Sequence, residues 1–368
     1  MSTRQSEVTA QLFPTLKAGV QVISQGGTTY VGFSHRGIEF ASSLRTFEAS
    51  FAQVALAHFD GLRSIEKIQQ SLTSHFARQV EISEIWQLVT HLLCADLIEL
   101  TKAKSNNVPA QNRVNFLSRL TPETNLATWQ SGGDLCSSEI IEARANFSIL
   151  VFGSNRLAIS IYSLLLASGF SSTKLIDRIR PIKEIRPQLV CGQVVKTSDI
   201  GLKTKDVLAG IKRDSQLNFA GEKPFPAIPS FIVSTSATQP DYIQRWMSEA
   251  IAHLLISNIV ESRIEIGPIV IPGQSPCFQC LELWRSSTNP LHQKINLLTS
   301  LAPPLELPAS AVATIAGLAV LHICEFAYLR SSKLIGAIAQ IDLLNTLSPQ
   351  IEYWQPHGQC GCQLSTIN

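Results

Sequence analysis

The run Phe147-Ser-Ile-Leu-Val-Phe-Gly-Ser-Asn-Arg-Leu-Ala158 decides the fold of the larger part of this 368-residue chain. Phe147 to Phe152 is apolar apart from Ser148, the pattern of a parallel strand buried on both faces. Gly153 follows at once, and an apolar helix is expected to run on to Ser168. Lys174-Leu-Ile-Asp177 then reads as a second strand ending in an acid. Strand, glycine turn, helix, strand and acid outline a nucleotide-binding βαβ unit: glycines let phosphate approach the helix N-terminus, and the acid holds a ribose hydroxyl. The glycine pattern is incomplete here. Gly153 takes the first place, but Asn155 and Ala158 stand at the second and third, and a side chain at the middle place obstructs pyrophosphate. The expected fold class is therefore α/β, with a Rossmann-type sheet. Gly153, Asn155, Ala158 and Asp177 would form a degenerate nucleotide site at which ATP does not bind productively.

Two tight cysteine pairs lie further along, Cys277-Phe-Gln-Cys280 and Cys360-Gly-Cys362. A Cys-x-x-Cys knuckle sets two thiolates on one side of a turn, and a second close pair completes the tetrahedron zinc prefers, leaving no position open for substrate. The expected cofactor is one structural zinc per chain, tying the C-terminal tail to a loop about 80 residues earlier. Disulfides are the alternative use of the four. Met1 to Thr15 is polar and carries no secretory core, so a reducing, cytoplasmic setting is expected and zinc is the better account. Cys94, Cys136, Cys191 and Cys324 are scattered, mostly in apolar company, as buried free thiols usually are.

The chain is 45% hydrophobic, long enough to bury more than one core, and carries a formal charge of +2, which gives no pull toward nucleic acid or acidic membranes. Ala311 to Leu329 is apolar and long enough to span a bilayer, yet small residues such as Ala313, Ala316, Gly317 and Ala319 recur in it and it carries His322 and Glu325, so a helix packed on a sheet is expected. Ala250 to Val260 reads as a second apolar helix.

Residues 1–105 form a separate first domain. Short β-prone runs, Val20 to Ser24, Thr29 to Phe33 and Ile38 to Ala41, are followed by helical segments at Thr46 to Phe59, Ser64 to Phe76 and Ser83 to Cys94, and by a return strand at Asp96 to Leu100. This order suggests a winged helix-turn-helix. Such domains commonly read DNA, but residues 1–105 hold nine Lys plus Arg against nine Asp plus Glu, and Glu81 to Ala95 has no Lys or Arg. A helix carrying Glu81 and Glu84 would repel a phosphate backbone. A neutral scaffold of this kind can instead offer a sheet edge to an extended peptide. That edge would be Gly37, Ile38, Glu39, Phe40, Ala41 and Ser42, facing a groove lined by Ile85, Trp86, Val89 and Leu93, of which about half would be core by their helical spacing. Residues 106–145, with Pro109, Pro122, Gly132 and Gly133 and no periodicity, read as a linker to a second domain at 146–368.

Gly267-Pro-Ile-Val-Ile-Pro-Gly-Gln-Ser-Pro-Cys-Phe-Gln-Cys280, the following Leu281 to Arg285, and Trp354-Gln-Pro-His-Gly-Gln-Cys-Gly-Cys362 resemble the ThiF/E1-like partner proteins of azole-forming cyclodehydratases, found in ribosomal peptide natural-product (bacteriocin-type) pathways. The resemblance spans essentially the whole chain, because that family also joins a winged-helix peptide recognition element to an E1-like domain. It implies a noncatalytic protein that binds the leader segment of a precursor peptide and presents its core to a YcaO-type cyclodehydratase, which uses ATP to cyclise Cys, Ser or Thr. It also implies zinc thiolates at Cys277, Cys280, Cys360 and Cys362, and makes a homodimer a reasonable expectation.

The related adenylating enzymes resemble the chain at Gly153 and Asp177, yet they also need an acid for magnesium after a later strand. The sequence offers Phe231-Ile-Val-Ser-Thr-Ser-Ala237 there, with no Asp at its end. Arg178, Arg180 and Lys183 read as solvated surface, and Asp241 falls beyond a Gln239-Pro240 turn. His357 reads as a neighbour of the metal ligands rather than one of them. Ser234 to Ser236 lack the glycines of a nucleophile elbow. An active adenylating enzyme and a zinc-containing transcriptional regulator are the alternatives.

Overall fold

The computed structural model describes residues 12–17, 19–34, 36–41, 49–102, 110–131, 135, 137–177, 182–191, 194–215, 224–235, 240–257, 262–301, 306–345 and 349–362. The chain divides into two compact units, Met1–Ile140 and Ile141–Asn368.

In the first unit β2 (Gln21–Gln25), β3 (Thr28–Phe33) and β4 (Arg36–Ala41) form an antiparallel meander in that spatial order. The turn at Gly26-Gly27 has positive φ at both residues, as a two-residue hairpin requires. Three helices follow: α1 (Ala49–Leu56), α2 (Ile65–Phe76) and α3 (Ile82–Cys94). Ser64 caps α2 by accepting the Lys67 N–H, and Glu81 and Glu84 form a capping box at the start of α3. Val31, Phe40, Phe51, Leu72, Ile85 and Val89 meet in one apolar core. Asp96, in the left-handed region just past α3, accepts Lys17 Nζ and lies 3.3 Å from Arg36, so the start of β4 is pinned beside the end of α3.

Two elements here depart from the sequence reading. A further strand, β1 (Leu12–Leu16), pairs antiparallel with β5 (Ile98–Lys102). Pro14 hides it from a pattern reading, yet proline is tolerated in a strand with a free side. The stretch read as an irregular linker holds α4 (Ala110–Gln130) and α5 (Ser137–Asn146). Pro122 lies inside α4, and the apolar residues are too sparse to show a period, although Leu120 and Ala127 are buried.

The second unit is built on a seven-stranded mixed sheet in the order β12-β11-β10-β9-β8-β6-β7. β6 (Ile149–Phe152), β7 (Thr173–Ile176), β8 (Phe231–Ser234) and β9 (Ala252–Ile256) run parallel, with α6 (Arg156–Ala167) between the first two in sequence. The strand β9 replaces the helix expected from Ala250 to Val260. A short apolar run carries no decisive period, and its ladder to Phe231–Ser234 settles it as a strand. Beyond it β10 (Arg263–Val270), β11 (Ala337–Asp342) and β12 (Gln350–Tyr353) add on antiparallel. The β9–β10 register slips between Ile266 and Ile269, and Gly267, at φ +116, stands where a Cβ would lie 2.4 Å from the Ala337 carbonyl oxygen.

Between β7 and β8 comes α7 (Thr204–Ser215), and α8 (Pro240–Ser248) precedes β9. Between β10 and β11 lie α9 (Phe278–Thr288), α10 (His292–Leu301) and α11 (Ala309–Leu329). On one face of the sheet Leu157, Ile161 and Leu165 of α6 pack with Val312, Ile315, Ala319 and Ile323 of α11. The other face joins Phe152, Ile232 and Leu255 to Ile243 and Trp246 of α8. α11 has the length and hydropathy of a membrane span, but half of its most apolar window is buried in this core.

His253 on β9 is fully buried. Its Nδ1–H donates to the Ile251 carbonyl at 2.9 Å, and Nε2 has no partner among the described residues. Burial therefore pulls its pKa from 6.5 down to about 4. The unfolded chain takes up a proton near pH 6.5 while the folded chain resists until about pH 4, so stability rises with pH across that window. About 2 kcal/mol should disappear between pH 7 and pH 5 from this residue. Denaturant melts of the natural protein and His253→Leu at both pH values check this, and the variant should lose that much less.

Candidate functional site

Cys277 sits at the N-cap of α9 and Cys280 in its first turn, so both sulfurs lie at the positive end of a helix. The chain leaving β12 brings up the other pair. Its path is held by Trp354 N–H to the Gly336 carbonyl at 2.9 Å, by Trp284 Nε1–H to the Gln355 carbonyl at 2.9 Å, and by Arg285 against the Trp354 ring. Arg285 is itself anchored by Glu265, 2.6 Å away. As a result Cys277 and Cys360 sulfurs lie 3.5 Å apart, Cys280 and Cys362 3.5 Å, and Cys277 and Cys280 3.9 Å, with all four within 4.8 Å of one another.

These separations decide between the two uses of the cysteines. A disulfide needs about 2.0 Å, whereas four sulfurs at about 2.3 Å from a tetrahedral ion stand about 3.8 Å apart. All four are free thiols, and the cluster can hold a metal ion. Burial pushes the Cys277 thiol well up and Cys362 up to about 11. At Cys280 burial acts the same way but is outweighed by hydrogen bonding to the backbone at His357 and Cys277, and the net direction is down. A cation supplies what the other thiolates need to form in this setting. The closed, all-sulfur donor set suits zinc and leaves no place for substrate. His357 is occupied elsewhere: its Nδ1 accepts the Gln359 N–H at 3.2 Å, and its ring stands edge-on to Trp284.

The turn after β6 is closed by its own side chains. Gly153, at φ +149, could not carry a Cβ, which would fall 2.3 Å from Thr235 Oγ1. Asn155 caps α6: its Oδ1 accepts the Ala158 N–H at 2.8 Å and the Thr235 hydroxyl at 3.0 Å, and its Nδ2 donates to the Thr235 carbonyl at 2.7 Å. Asp177 follows β7 as expected, but it accepts the hydroxyl of Ser154. Ala158 is fully buried. Arg156 donates to the carbonyls of Gln188, Val190 and Leu307 and lies 3.9 Å from Glu306, whose carboxylate reaches the Arg156 backbone N–H at 3.5 Å. Burial raises the Glu306 pKa against the pull of Arg156. β8 ends in Ser234 and buried Thr235 without an acid, while Asp241, in the first turn of α8, and Lys183 are exposed. Arg178 and Arg180 lie outside the described residues.

The third region is in the first unit. β4 pairs only with β3 among the described residues, so Gly37 to Ala41 stand at the edge of their sheet. Gly37 and Glu39 are exposed, Ile38 and Phe40 turn inward, and Ser42 lies outside the described residues. Of the expected groove residues, Ile85 and Val89 are fully buried core and cannot line a surface. Trp86 is half-buried and Leu93 is 39% exposed. Sequence reasoning gave no such role to Thr235, Glu306 or Trp284, which reach partners distant in sequence.

Replacing Cys360 and Cys362 with Ser should release about one metal ion per chain and destabilise the second unit by several kcal/mol. Elemental analysis and thermal melts check both, with zinc as the ion expected.

No family model matches the chain, and no curated protein matches it in sequence. Solved structures do share its fold. MccB of E. coli, the microcin C7 biosynthetic enzyme, solved with AMPCPP and MccA, superposes with a TM-score of 0.54 at 14% identity, over 95% of this chain and 99% of its own. The same enzyme with ATP gives 0.53 at 14% identity over the same spans. The heterocyclase TruD gives 0.54 at 14% identity, covering 97% of this chain and 44% of its own length. The fold of this chain is thus the one found in MccB and TruD, in keeping with the ThiF/E1-like resemblance carried by its cysteine-flanking motifs.

Proposed function

We propose that this chain binds the leader segment of a ribosomally made precursor peptide and presents the peptide to a YcaO-type, ATP-dependent cyclodehydratase that forms azolines from Cys, Ser or Thr. The observation that carries this reading is β4 as an edge strand, pinned beside the end of α3 by Asp96, with residues 1–105 balanced in charge. An extended peptide adding to such an edge gains main-chain hydrogen bonds, and side chains nearby select it. The first unit then serves as a winged-helix recognition element and the second as an E1/ThiF-like docking domain, stapled by one structural zinc. The similarity to MccB, solved with MccA, and to the heterocyclase TruD supports a role in peptide maturation.

MccB was also solved with ATP, which favours an adenylating enzyme as the second reading. That reading requires ATP-pyrophosphate exchange by the purified chain. The commitments of Asn155, Asp177 and Glu306 within the chain weigh against it. A duplex-DNA regulator lacks the basic surface that salt-dependent binding needs.

Calorimetric titration with the leader peptide encoded beside this gene should show saturable binding, weakened at least about tenfold by Leu93→Asp, a loss of about 1.4 kcal/mol. Binding unchanged by that variant, or absent from the natural protein, would sink the reading. Ile85→Ala should instead cost about 2–5 kcal/mol of folding stability.

A further inference from the structure

We infer that the chain occupies its own phosphate position: the Asn155 carboxamide and the Glu306 carboxylate fill the N-terminus of α6 where a nucleotide's phosphates would sit. The first backbone N–H groups of a helix have no partner within it, and together with the helix dipole they form an anion site. In this chain two of those groups are already engaged. The Ala158 N–H points at Asn155 Oδ1 at 2.8 Å, and the Arg156 N–H points at Glu306 Oε2 at 3.5 Å.

The plug is held in place as well as present. Thr235 grips the Asn155 carboxamide from both ends, donating its hydroxyl to Oδ1 and accepting from Nδ2 at its carbonyl. Swinging Asn155 aside would break three hydrogen bonds at once. Glu306 brings a negative charge to the place a phosphate would need, so it opposes an anionic ligand by charge as well as by volume. Arg156, the cation nearest the helix start, is spent on the carbonyls of Gln188, Val190 and Leu307, which draws the two loops across the helix end. The ribose-side acid is engaged too, because Asp177 accepts the Ser154 hydroxyl. A sheet and helix that retain the outline of a nucleotide site therefore present an internally satisfied surface in its place.

This deepens the reading of the chain as a nucleotide-free partner protein and rests on it only in that respect. The test is titration of the full chain with MgATP, and separately with inorganic phosphate, in the natural protein, in Glu306→Gln, and in Asn155→Gly combined with Glu306→Gln. Glycine is an acceptable N-cap, so the double variant should retain the fold, which its melting curve verifies. The natural protein should bind neither probe. The double variant should bind MgATP at least about tenfold more tightly than the natural protein, and Glu306→Gln alone should gain in the same direction for phosphate. MgATP binding by the natural protein equal to that of the double variant would overturn the inference. So would a folded double variant that still ignores nucleotide; should that variant unfold, a Glu306→Gln protein with no gain for either probe would do the same. No peptide enters this titration, so its failure leaves leader binding standing, and a failed leader titration leaves the plug standing.

Discussion

Four sulfur atoms within 4.8 Å of one another repel as thiolates and waste their burial as thiols, so a cation at their centre turns a costly cluster into a fastening. Much else follows from that one constraint. The second cysteine pair lies beyond β12, so a metal held by the four would be the closing link of a loop running through α9, α10, α11 and the last two strands. Trp284, Arg285 and Glu265 then act as guides that deliver the tail at the right height over α9. β12 itself is an exposed edge strand of four residues, which would fray if its far end were loose. Fixing the tail at Cys360 and Cys362 is what allows so short a strand to complete the sheet.

The start of the parallel half of that sheet was legible in the sequence because burial on both faces forces an unbroken apolar run, and Ile149 to Phe152 is one. The helix after Gly153 and the acid after β7 followed from local chemistry in the same way. The cysteines were legible through spacing. The last parallel strand, β9, and the antiparallel half were not: β9 is a run too short to separate strand from helix, and Arg263–Val270 is interrupted by Gly267-Pro268. β1 was hidden by Pro14, and α4 by a polar sequence in which two of the side chains buried at helical spacing, Thr124 and Thr128 beside Leu120 and Ala127, are not apolar. In the first unit, helical spacing gave the right face of α3 but could not say which apolar residues lie inward. Ile85 and Val89 went to the core, which leaves Trp86 and Leu93 nearer the surface.

The departures at the glycine turn had a cause that sequence alone could only half supply. Asn155 was recognisable as an obstruction, since any side chain at that place crowds phosphate. Its partner Thr235 comes from the end of β8 and Glu306 from the loop before α11, each far away in the chain. What looks in the sequence like the decay of a motif is, in three dimensions, a set of matched replacements: an amide for one phosphate oxygen, a carboxylate for another, and a serine hydroxyl for a ribose.

That substitution also explains how the fold can keep its shape without a ligand. A helix N-terminus aimed at an empty, sealed cavity would leave buried N–H groups unsatisfied at a cost of about 1–3 kcal/mol each. Filling the position from within removes that cost and makes the loop at Gly153 a fixed part of the core. The same logic applies at the other end of the sheet, where a metal held by the four cysteines would take the place of a larger core. β4, by contrast, ends its three-stranded sheet with no second neighbour among the described residues, the arrangement to which an extended chain can add.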